Sequence, residues 1–248
     1  MRPDLISSAL ATIEYNQKRQ NEILSFYEFG RSYNFSNNEF TELNHLAITL
    51  TGNDHSGNWI MPDPPAGFYY LKSVVIRILD ALNIKGYQES DLDGDVYQYG
   101  LHLHRGKQHL AEFGLLNLNR YPGVDIRHEV FFADINWVDL VHMASAVGGI
   151  EPVSKYPTVE RDLALIVSSG VKFDDVRREI GKVGGHLIRE VSLFDVYEDA
   201  EQLGEGKQSY GVKILFSDPD KTLKDKDVDQ KVSKILDNLQ KKWGIYLR

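Results

Sequence analysis

The chain of 248 residues is 42% hydrophobic and 26% charged, which is typical of globular proteins, and it is long enough for two domains. It has no cysteine, which excludes disulfides and thiolate metal or redox chemistry and fits a cytoplasmic location. We find no signal peptide and no apolar run of membrane-spanning length, so no membrane association is expected.

The net charge of −8 is unevenly distributed. Residues 1–153 hold 11 basic and 19 acidic residues, whereas residues 154–248 hold 17 of each. An acidic surface repels a phosphate backbone, so any nucleic-acid interface is expected in the second part. The alternative explanation is that the lysines of the second part are only solvated residues on helix surfaces. Net charge does not decide between an RNA interface and this alternative.

The first part, residues 1–150, alternates between strand-like and helix-like patterns. Apolar residues at helical spacing predict a helix from Leu5 to Arg19, which begins after Pro3 and Asp4. Further helices are predicted at 68–83 and 137–146, and strands at 24–35, 45–52, 96–104, 109–117 and 130–135. Residues 54–67 are predicted to be a loop and 91–95 a polar turn. The pattern indicates an antiparallel sheet with helices against it, an α+β fold.

The second part, residues 154–248, follows a boundary that we place within 148–154. A strand that includes Leu163, Leu165 and Val167 is followed by elements in the order helix, strand, strand, helix and strand. This order predicts a ferredoxin-like βαββαβ domain. Helices cover one face of such a sheet, so the other face is available for binding. Lys213 is expected on that face, whereas the alternation of residues 191–197 does not decide which of them face the helices.

Two patterns that could carry chemistry are incomplete, and a third kind is not evident. The segment Gly204–Gln208 (GEGKQ) lacks the first glycine and the Ser or Thr of a phosphate-binding loop, so a turn is expected. Asp91, Asp93 and Asp95 resemble the start of a calcium loop, but His102 occupies the position that requires a glutamate. Neither a Ser/His/Asp pattern nor a nucleophile elbow is evident, and no catalytic residue is predicted.

Three histidines leave a metal enzyme as a minor alternative. His102 and His104 lie two apart on a predicted strand, and His109 is close across the Arg105-Gly106-Lys107 turn. They could hold zinc, but histidines at this spacing are more often solvated or hydrogen-bonded. We therefore predict no metal site.

Basic and aromatic residues in the second part favour RNA binding. Open sheet faces bind single-stranded RNA through aromatic stacking and through Arg or Lys contacts to phosphate. The same residues could instead be structural aromatics and solvated lysines. The candidate RNA-binding residues are Tyr156, Arg161, Arg177, Arg178, Lys182, Tyr197 and Lys213.

The second part resembles the ferredoxin-fold anticodon-binding domain at the C-terminus of the bacterial phenylalanyl-tRNA synthetase β chain. The resemblance rests on blocks in the family's order over residues 154–248. They are KYPTVERDLALIV, the Gly184-Gly185 pair, VSLFDVYED, GEGKQSYGVKILF, SDPDKTLKDKDV and WGIYLR.

The first part is similar to the catalytic-like module of the same β chain. The matching segments are MRPDLISSALATIEYNQKR, FYEFGRSYNF, LAITLTG, FYYLKSVVIRILDAL, AEFGLLN and VFFADINWVDL. The resemblance implies a relative of class II synthetase catalytic domains. The family's other β-chain domains, for tRNA binding, editing and a DNA-binding-like fold, are not found, so we expect a C-terminal fragment.

The resemblance also implies partners and cofactors. Class II active sites bind ATP with Arg-x-Glu and a glycine-rich motif that ends in Arg, whereas this chain has Glu28-Phe29-Gly30-Arg31 and no such glycine motif. ATP, Mg²⁺ and phenylalanine are therefore expected on the α subunit of an α2β2 assembly, with no cofactor in this chain. The helix from Leu5 to Arg19 is expected at the subunit interface, and the second domain on tRNA(Phe). The alternative is a protein-interaction scaffold that binds no RNA.

Overall fold

The computed structural model describes residues 2–36, 38–53, 66–92, 94–144 and 155–248. The chain divides into two units, Met1–Gly149 and Ile150–Arg248. The predicted boundary within 148–154 and most of the predicted loop at 54–67 lie outside the described residues. The domain limits of 1–150 and 154–248 therefore stay a prediction.

The first unit contains a six-stranded sheet and three α-helices. The helices are α1 Ile6–Gln17, α2 Phe68–Ala81 and α3 Trp137–Met143. The strands are β1 Leu24–Ser36, β2 Glu39–Thr51, β3 Gln88–Asp91, β4 Tyr97–Arg105, β5 Gln108–Leu116 and β6 Val130–Asn136. They are ordered β1-β2-β6-β5-β4-β3, and all neighbouring pairs are antiparallel.

Hydrophobic cores lie on both faces of this sheet. Leu46, Ile48 and Leu50 of β2 belong to one core together with residues of α2, whereas Ala47 between them belongs to the other, together with residues of α1. This alternation follows from the two-residue period of a strand that is buried on both sides. The sheet is therefore the middle layer of the unit.

Helix α1 starts and ends close to the predicted positions. The Asp4 side chain accepts a hydrogen bond from the backbone N–H of Ile6 at 2.9 Å, which satisfies a donor that the first turn leaves without a partner. Leu10 and Ile13 are buried in the core beneath the helix. The apolar face of this helix, which the family resemblance implied to lie at a subunit interface, is thus buried within its own unit. On the outer side Tyr15 remains 58% exposed.

The second unit contains a four-stranded antiparallel sheet. Its elements are β7 Val159–Ser168, α4 Phe173–Gly184, β8 Ile188–Tyr197, α5 Ala200–Leu203, β9 Lys207–Phe216, α6 Asp225–Trp243 and β10 Tyr246–Leu247. The sheet order is β10-β7-β9-β8. With α4 and α6 as its two long helices, this unit has the predicted ferredoxin-like fold, and the α+β class is confirmed for both units.

The core of this unit lies on one face of its sheet. Leu163, Leu165 and Val167 of β7 are buried in a cluster that also contains Val176 and Ile180 of α4. The same cluster includes, from the remaining elements, Tyr210, Val212, Ile214, Phe216, Val228, Ile235 and Leu239. Alternate residues of the strands must therefore point to the opposite face.

Two short elements were not predicted. Strand β3 adds an edge to the first sheet, and Asp91, expected in a turn, is its last residue. Helix α5 occupies part of the connection that we expected to be an irregular hairpin loop. Both elements are four residues long, which is too short for a periodic pattern to be recognised in a sequence. No helix in the described ranges combines the length and apolarity that a membrane crossing requires.

Candidate nucleic-acid interface

The sheet face opposite α4 and α6, called here the open face, carries a row of four residues across all strands. Directly paired residues of antiparallel strands project to the same face. Tyr197 of β8 pairs with Ser209 of β9, Ser209 pairs with Ile166 of β7, and Ile166 pairs with Tyr246 of β10. With strands about 4.8 Å apart, three strand spacings place the two tyrosines about 14 Å from each other.

Arg248 lies across the open face. Its backbone N–H donates to the carbonyl oxygen of Ala164 at 2.9 Å, which fixes the residue beside β7. Its guanidinium carbon lies 4.9 Å from the centre of the Tyr197 ring, and one guanidinium nitrogen donates to the side chain of Gln202 at 3.1 Å. Within the described residues Arg248 forms no ion pair with an Asp or Glu side chain, although Asp199, which accepts a hydrogen bond from the Tyr197 hydroxyl at 2.8 Å, places a carboxylate at the same end of the row.

Lys207 and Tyr246 form a second pair of a cation and an aromatic ring. The Lys207 ammonium lies 5.5 Å from the centre of the Tyr246 ring and donates a hydrogen bond to its hydroxyl at 3.3 Å. Like Arg248, this lysine has no carboxylate partner among the residues that the structure describes. The row of residues therefore has a tyrosine and an available positive charge at each end.

Phe194 adds an exposed aromatic ring next to this row. It is 58% exposed, and its ring lies against Gly211, where an added Cβ would be 2.8 Å from a ring carbon. Gly211 pairs with Ala164 of β7, so the ring lies over the small residues at the centre of the open face. An irregularity in the register between Leu193 and Asp195 turns Phe194 to this side.

The part of the open face around Lys213, away from the row, is electrostatically balanced. Lys213 lies there, as predicted, but it forms a salt bridge with Glu160 of the neighbouring strand β7. This hydrogen bond to Glu160 is the main reason that the pKa of Lys213 is raised. Asp162 pairs directly with Lys213 in the register and adds a second negative charge. The accessible positive charge of the open face therefore lies along the row from Tyr197 to Tyr246.

The predicted arginines lie on the side of the helices. Arg161 points to the same face as Leu163 and donates hydrogen bonds to Asp225 at 2.7 Å and Asp229 at 3.1 Å, both on α6. In α4, Arg178 lies 2.9 Å from both Asp174 and Asp175, and Arg177 also pairs with Asp174. The structure thus gives each of these arginines an acidic partner.

The two remaining candidates lie apart from the row. Lys182 is exposed in the last turn of α4, and Tyr156 is half-buried in the segment before β7. Of the seven predicted RNA-binding residues, Tyr197 and Lys213 are the two that the strand register places on the open face. The open face also carries Phe194, Lys207, Tyr246 and Arg248, which the sequence analysis did not select as candidates. Tyr246 and Arg248 could have been found by continuing the alternation of the last strand, but the bulge that turns Phe194 outward is not visible in the sequence.

The first unit brings together polar residues that are distant in sequence. His45 lies 2.7 Å from the hydroxyl of Ser32 and, through its other ring nitrogen, 2.7 Å from Asp134. This is a Ser/His/Asp hydrogen-bond order that the sequence did not reveal. Ser32 is only 7% exposed, so its hydroxyl is closed to substrate and the three residues link β1, β2 and β6.

The three predicted histidines are also close together. His102 and His109 are 2.7 Å apart between ring nitrogens, and the rings of His102 and His104 stack with centres 5.1 Å apart. Burial is the main cause that lowers the pKa of both His102 and His109 and so favours the neutral imidazoles. Across the described ranges, no three His, Cys, Asp or Glu side chains are arranged to hold a metal ion.

Two family models match the chain. Residues 154–248 match the ferredoxin-fold anticodon binding domain, and residues 1–137 match the phenylalanyl tRNA synthetase beta chain CLM domain. Among solved structures, the pyrrolysyl-tRNA synthetase of Desulfitobacterium hafniense aligns with this chain at 15% identity and a TM-score of 0.44. That similarity covers 59% of this chain and 54% of the other.

Curated relatives match over the full length of the chain. The phenylalanine–tRNA ligase beta subunit of Bacteroides fragilis is 34% identical over 261 residues, which cover 100% of this chain and 32% of the relative. The corresponding subunit of Porphyromonas gingivalis is 30% identical, with 100% and 32% covered. The chain spans about a third of the length of these curated relatives. With the match to residues 1–137, which is more than half of the chain, it belongs to the phenylalanyl-tRNA synthetase β-chain family.

Proposed function

We propose that the chain acts within a phenylalanine–tRNA ligase and binds the anticodon region of tRNA(Phe) through the open face of its second unit. The observation that carries this proposal is the row with Tyr197 and Tyr246, each beside a cation that has no acidic partner in the described chain. The match of residues 154–248 to an anticodon-binding family supports it.

The chemistry of this row suits unpaired bases. An aromatic ring stacks on any base, and a nearby guanidinium or ammonium group contacts the adjoining phosphates. Phe194 and Tyr246 provide exposed rings and Tyr197 a half-buried one, while Arg248 and Lys207 provide the charges. Lys213 contributes less, since Glu160 already neutralises it.

The predicted arginines have a smaller part in this proposal. A phosphate that approaches Arg161, Arg177 or Arg178 has to compete with the carboxylates that these residues already contact. Lys182 and Tyr156 remain candidates for contacts outside the row. We therefore assign the RNA site to the row of residues from Tyr197 to Tyr246 on the open face.

Scaffolding of the catalytic α subunit is the second proposed role, and it is assigned to the first unit. Exposed aromatic side chains favour it: Tyr27 is 70% and Phe29 56% exposed on β1, the edge strand of the sheet. Beside them is a groove of about 450 Å³, which Tyr70 and Val74 of α2 also line. Exposed apolar patches of this kind are typical of protein interfaces.

The catalytic steps are assigned to the partner subunit. In this proposal ATP, Mg²⁺ and phenylalanine bind to the α subunit of an α2β2 assembly in the cytoplasm. The chain supports the ATP-dependent attachment of phenylalanine by positioning the tRNA and the α subunit. In the alternative proposal, the chain only binds the α subunit through its first unit. It is then a protein-interaction scaffold that does not bind RNA.

A titration of tRNA(Phe) separates the two roles. Fluorescence anisotropy of labelled tRNA(Phe) with the 248-residue chain is measured at 50 and 200 mM salt, because phosphate contacts make affinity salt-dependent. Tyr197→Ala is expected to weaken binding about 5- to 100-fold, the effect of losing one stacked base, whereas Tyr69→Ala in the first unit should not. Co-elution with the α subunit and no salt-sensitive tRNA binding would leave only the scaffold.

A further inference from the structure

A carboxylate lies beside the proposed RNA site, where a negative charge is unfavourable. Asp199 follows β8 and is half-buried, and one of its oxygens accepts a hydrogen bond from the Tyr197 hydroxyl at 2.8 Å. A carboxylate at this position repels the phosphates of a nucleic acid and by its charge alone weakens RNA binding. Its place next to the ring makes physical sense if its hydrogen bonds contribute more to the site than its charge opposes.

The second oxygen of Asp199 holds the helix that follows. It accepts a hydrogen bond from the backbone N–H of Gln202 in α5 at 3.1 Å, and the carbonyl oxygen of Asp199 accepts one from the N–H of Leu203 at 2.9 Å. Aspartate is preferred before a first helical turn because its side chain accepts from such N–H groups. A helix of four residues has few hydrogen bonds of its own, so the position of Gln202 depends on Asp199.

Gln202 in turn holds the guanidinium group of Arg248. Its side-chain oxygen accepts a hydrogen bond from Arg248 at 3.1 Å, while the guanidinium carbon lies 4.9 Å from the centre of the Tyr197 ring. Asp199 is thus connected to the ring directly, through the hydroxyl, and to the cation indirectly, through α5. The hydrogen bond to Asp199 is also the main cause that raises the pKa of Tyr197, which favours the protonated hydroxyl that donates this bond.

We propose that Asp199 is a positioning residue of the RNA site, which holds the Tyr197 ring and the Arg248 guanidinium in the arrangement that an unpaired nucleotide meets. This inference rests on the proposed function of the open face. Stacking of a base on the ring and contact of a phosphate with the guanidinium require both groups in place together. Side chains that are already ordered in the free protein lose less conformational entropy on binding, so the affinity is higher.

Two substitutions of Asp199 separate positioning from charge. Asp199→Ala removes the charge and both side-chain hydrogen bonds. It should weaken the binding of labelled tRNA(Phe) to the 248-residue chain about tenfold, the effect of losing a hydrogen bond to a charged group. Asp199→Asn removes only the charge, because its amide oxygen can accept from the Gln202 N–H and its NH₂ group can donate to the Tyr197 oxygen. This variant should bind at least as tightly as the unchanged chain.

Glu198→Ala is the matched control. Glu198 is the exposed neighbour of Asp199 and carries the same charge, but it takes no part in the hydrogen bonds described above. Its removal should leave the tRNA affinity unchanged or raise it slightly, because exposed charges are screened by salt. Thermal unfolding of each variant shows that it is folded.

NMR of the free chain tests the arrangement without RNA. The ring current of Tyr197 shifts the signals of the Arg248 side-chain protons that lie over it. In Asp199→Ala these signals should move towards the values of a solvated arginine, whereas in Asp199→Asn they should stay in place. A role of Asp199 in stability alone would leave them unchanged in both variants.

Three results would overturn this inference while the proposed function stands. The first is unchanged or tighter tRNA binding by Asp199→Ala when Tyr197→Ala weakens binding. The second is equal weakening by Asp199→Ala and Asp199→Asn, since the charge would then matter and not the hydrogen bonds. The third is an unshifted Arg248 signal in Asp199→Ala. A lack of salt-sensitive tRNA binding by the unchanged chain would instead overturn the proposed function, and this inference with it.

Discussion

The guanidinium group of Arg248 lies over the ring of Tyr197, which belongs to the edge strand β8. The backbone of Arg248 is hydrogen-bonded to β7, near the opposite edge of the same sheet. The side chain thus crosses β7 and β9 on the open face. A base that stacks on Tyr197 must either displace this guanidinium or pack next to it. In both cases Arg248 contacts the RNA directly.

Replacing Arg248 by alanine should therefore weaken tRNA binding and lower its salt dependence. Loss of one phosphate-contacting cation reduces the slope of log affinity against log salt by about 1. Titrations at four salt concentrations measure this slope. Arg177→Ala is the control, because Arg177 is paired with Asp174 on the helix side. An equal reduction of the slope in both variants would show that the open face has no special role.

Gly211→Ala tests whether the position of Phe194 matters. The new methyl group would lie 2.8 Å from the ring and 2.9 Å from Asp195, so the ring has to move away from the sheet. We expect a stability loss of about 1–3 kcal/mol, because the exposed ring can yield but the Cβ atom of Asp195 moves only with its strand, and a clear loss of tRNA affinity. Ala164→Gly, at the neighbouring position of the open face, serves as a comparison for altered strand propensity. Unchanged affinity in Gly211→Ala would remove Phe194 from the site.

Arg161→Ala should change tRNA affinity less than twofold. The residue is engaged with Asp225 and Asp229 on the helix side, and both of these carboxylates are well exposed. Exposed ion pairs contribute about 0–1 kcal/mol, so urea unfolding should show only a small loss of stability. Its salt bridges thus give Arg161 a structural role. A tenfold loss of tRNA affinity would show instead that the RNA reaches the helix side.

Sequence patterns predicted the fold well but only some of the residues that lie on the open face. The alternation of Leu163, Leu165 and Val167 and the order of the elements were sufficient to predict the ferredoxin-like unit, because burial forces that period on the chain. Arg161 belongs to the same alternation, and its position two residues before Leu163 already predicted that it points to the helix side. The sequence cannot reveal its pairing with α6, which is 64 residues away at Asp225.

The polar cluster of the first unit illustrates a different limit. Ser32, His45 and Asp134 are on three strands, and their contacts depend on the strand register. Single-sequence patterns give the strands but not which residues face each other across them. The direct pairing of Glu112 of β5 with Asp134 of β6 was not predicted for the same reason.

Glu112→Gln, a change on β5 next to Asp134 of β6, should stabilise the chain at neutral pH. A carboxyl group whose pKa is higher in the folded state binds protons on folding, so stability falls as pH rises through the interval between the ordinary and the raised pKa. The substitution removes this loss, and we expect a gain of about 1 kcal/mol at pH 7 that vanishes at about pH 4. Urea unfolding at both pH values measures it. A loss of stability at pH 7 would mean that the Glu112 charge is already compensated.

The most direct test of the RNA site is a crosslink from the open face. A photoreactive benzoylphenylalanine replaces Phe194 in the 248-residue chain, and the crosslinked nucleotides of tRNA(Phe) are mapped by primer extension. We predict crosslinks in the anticodon loop, and none when the same group replaces Tyr69, which is 83% exposed in the first unit. Crosslinks from position 194 that fall only outside the anticodon arm, or no crosslink under conditions in which tRNA binds, would contradict the account.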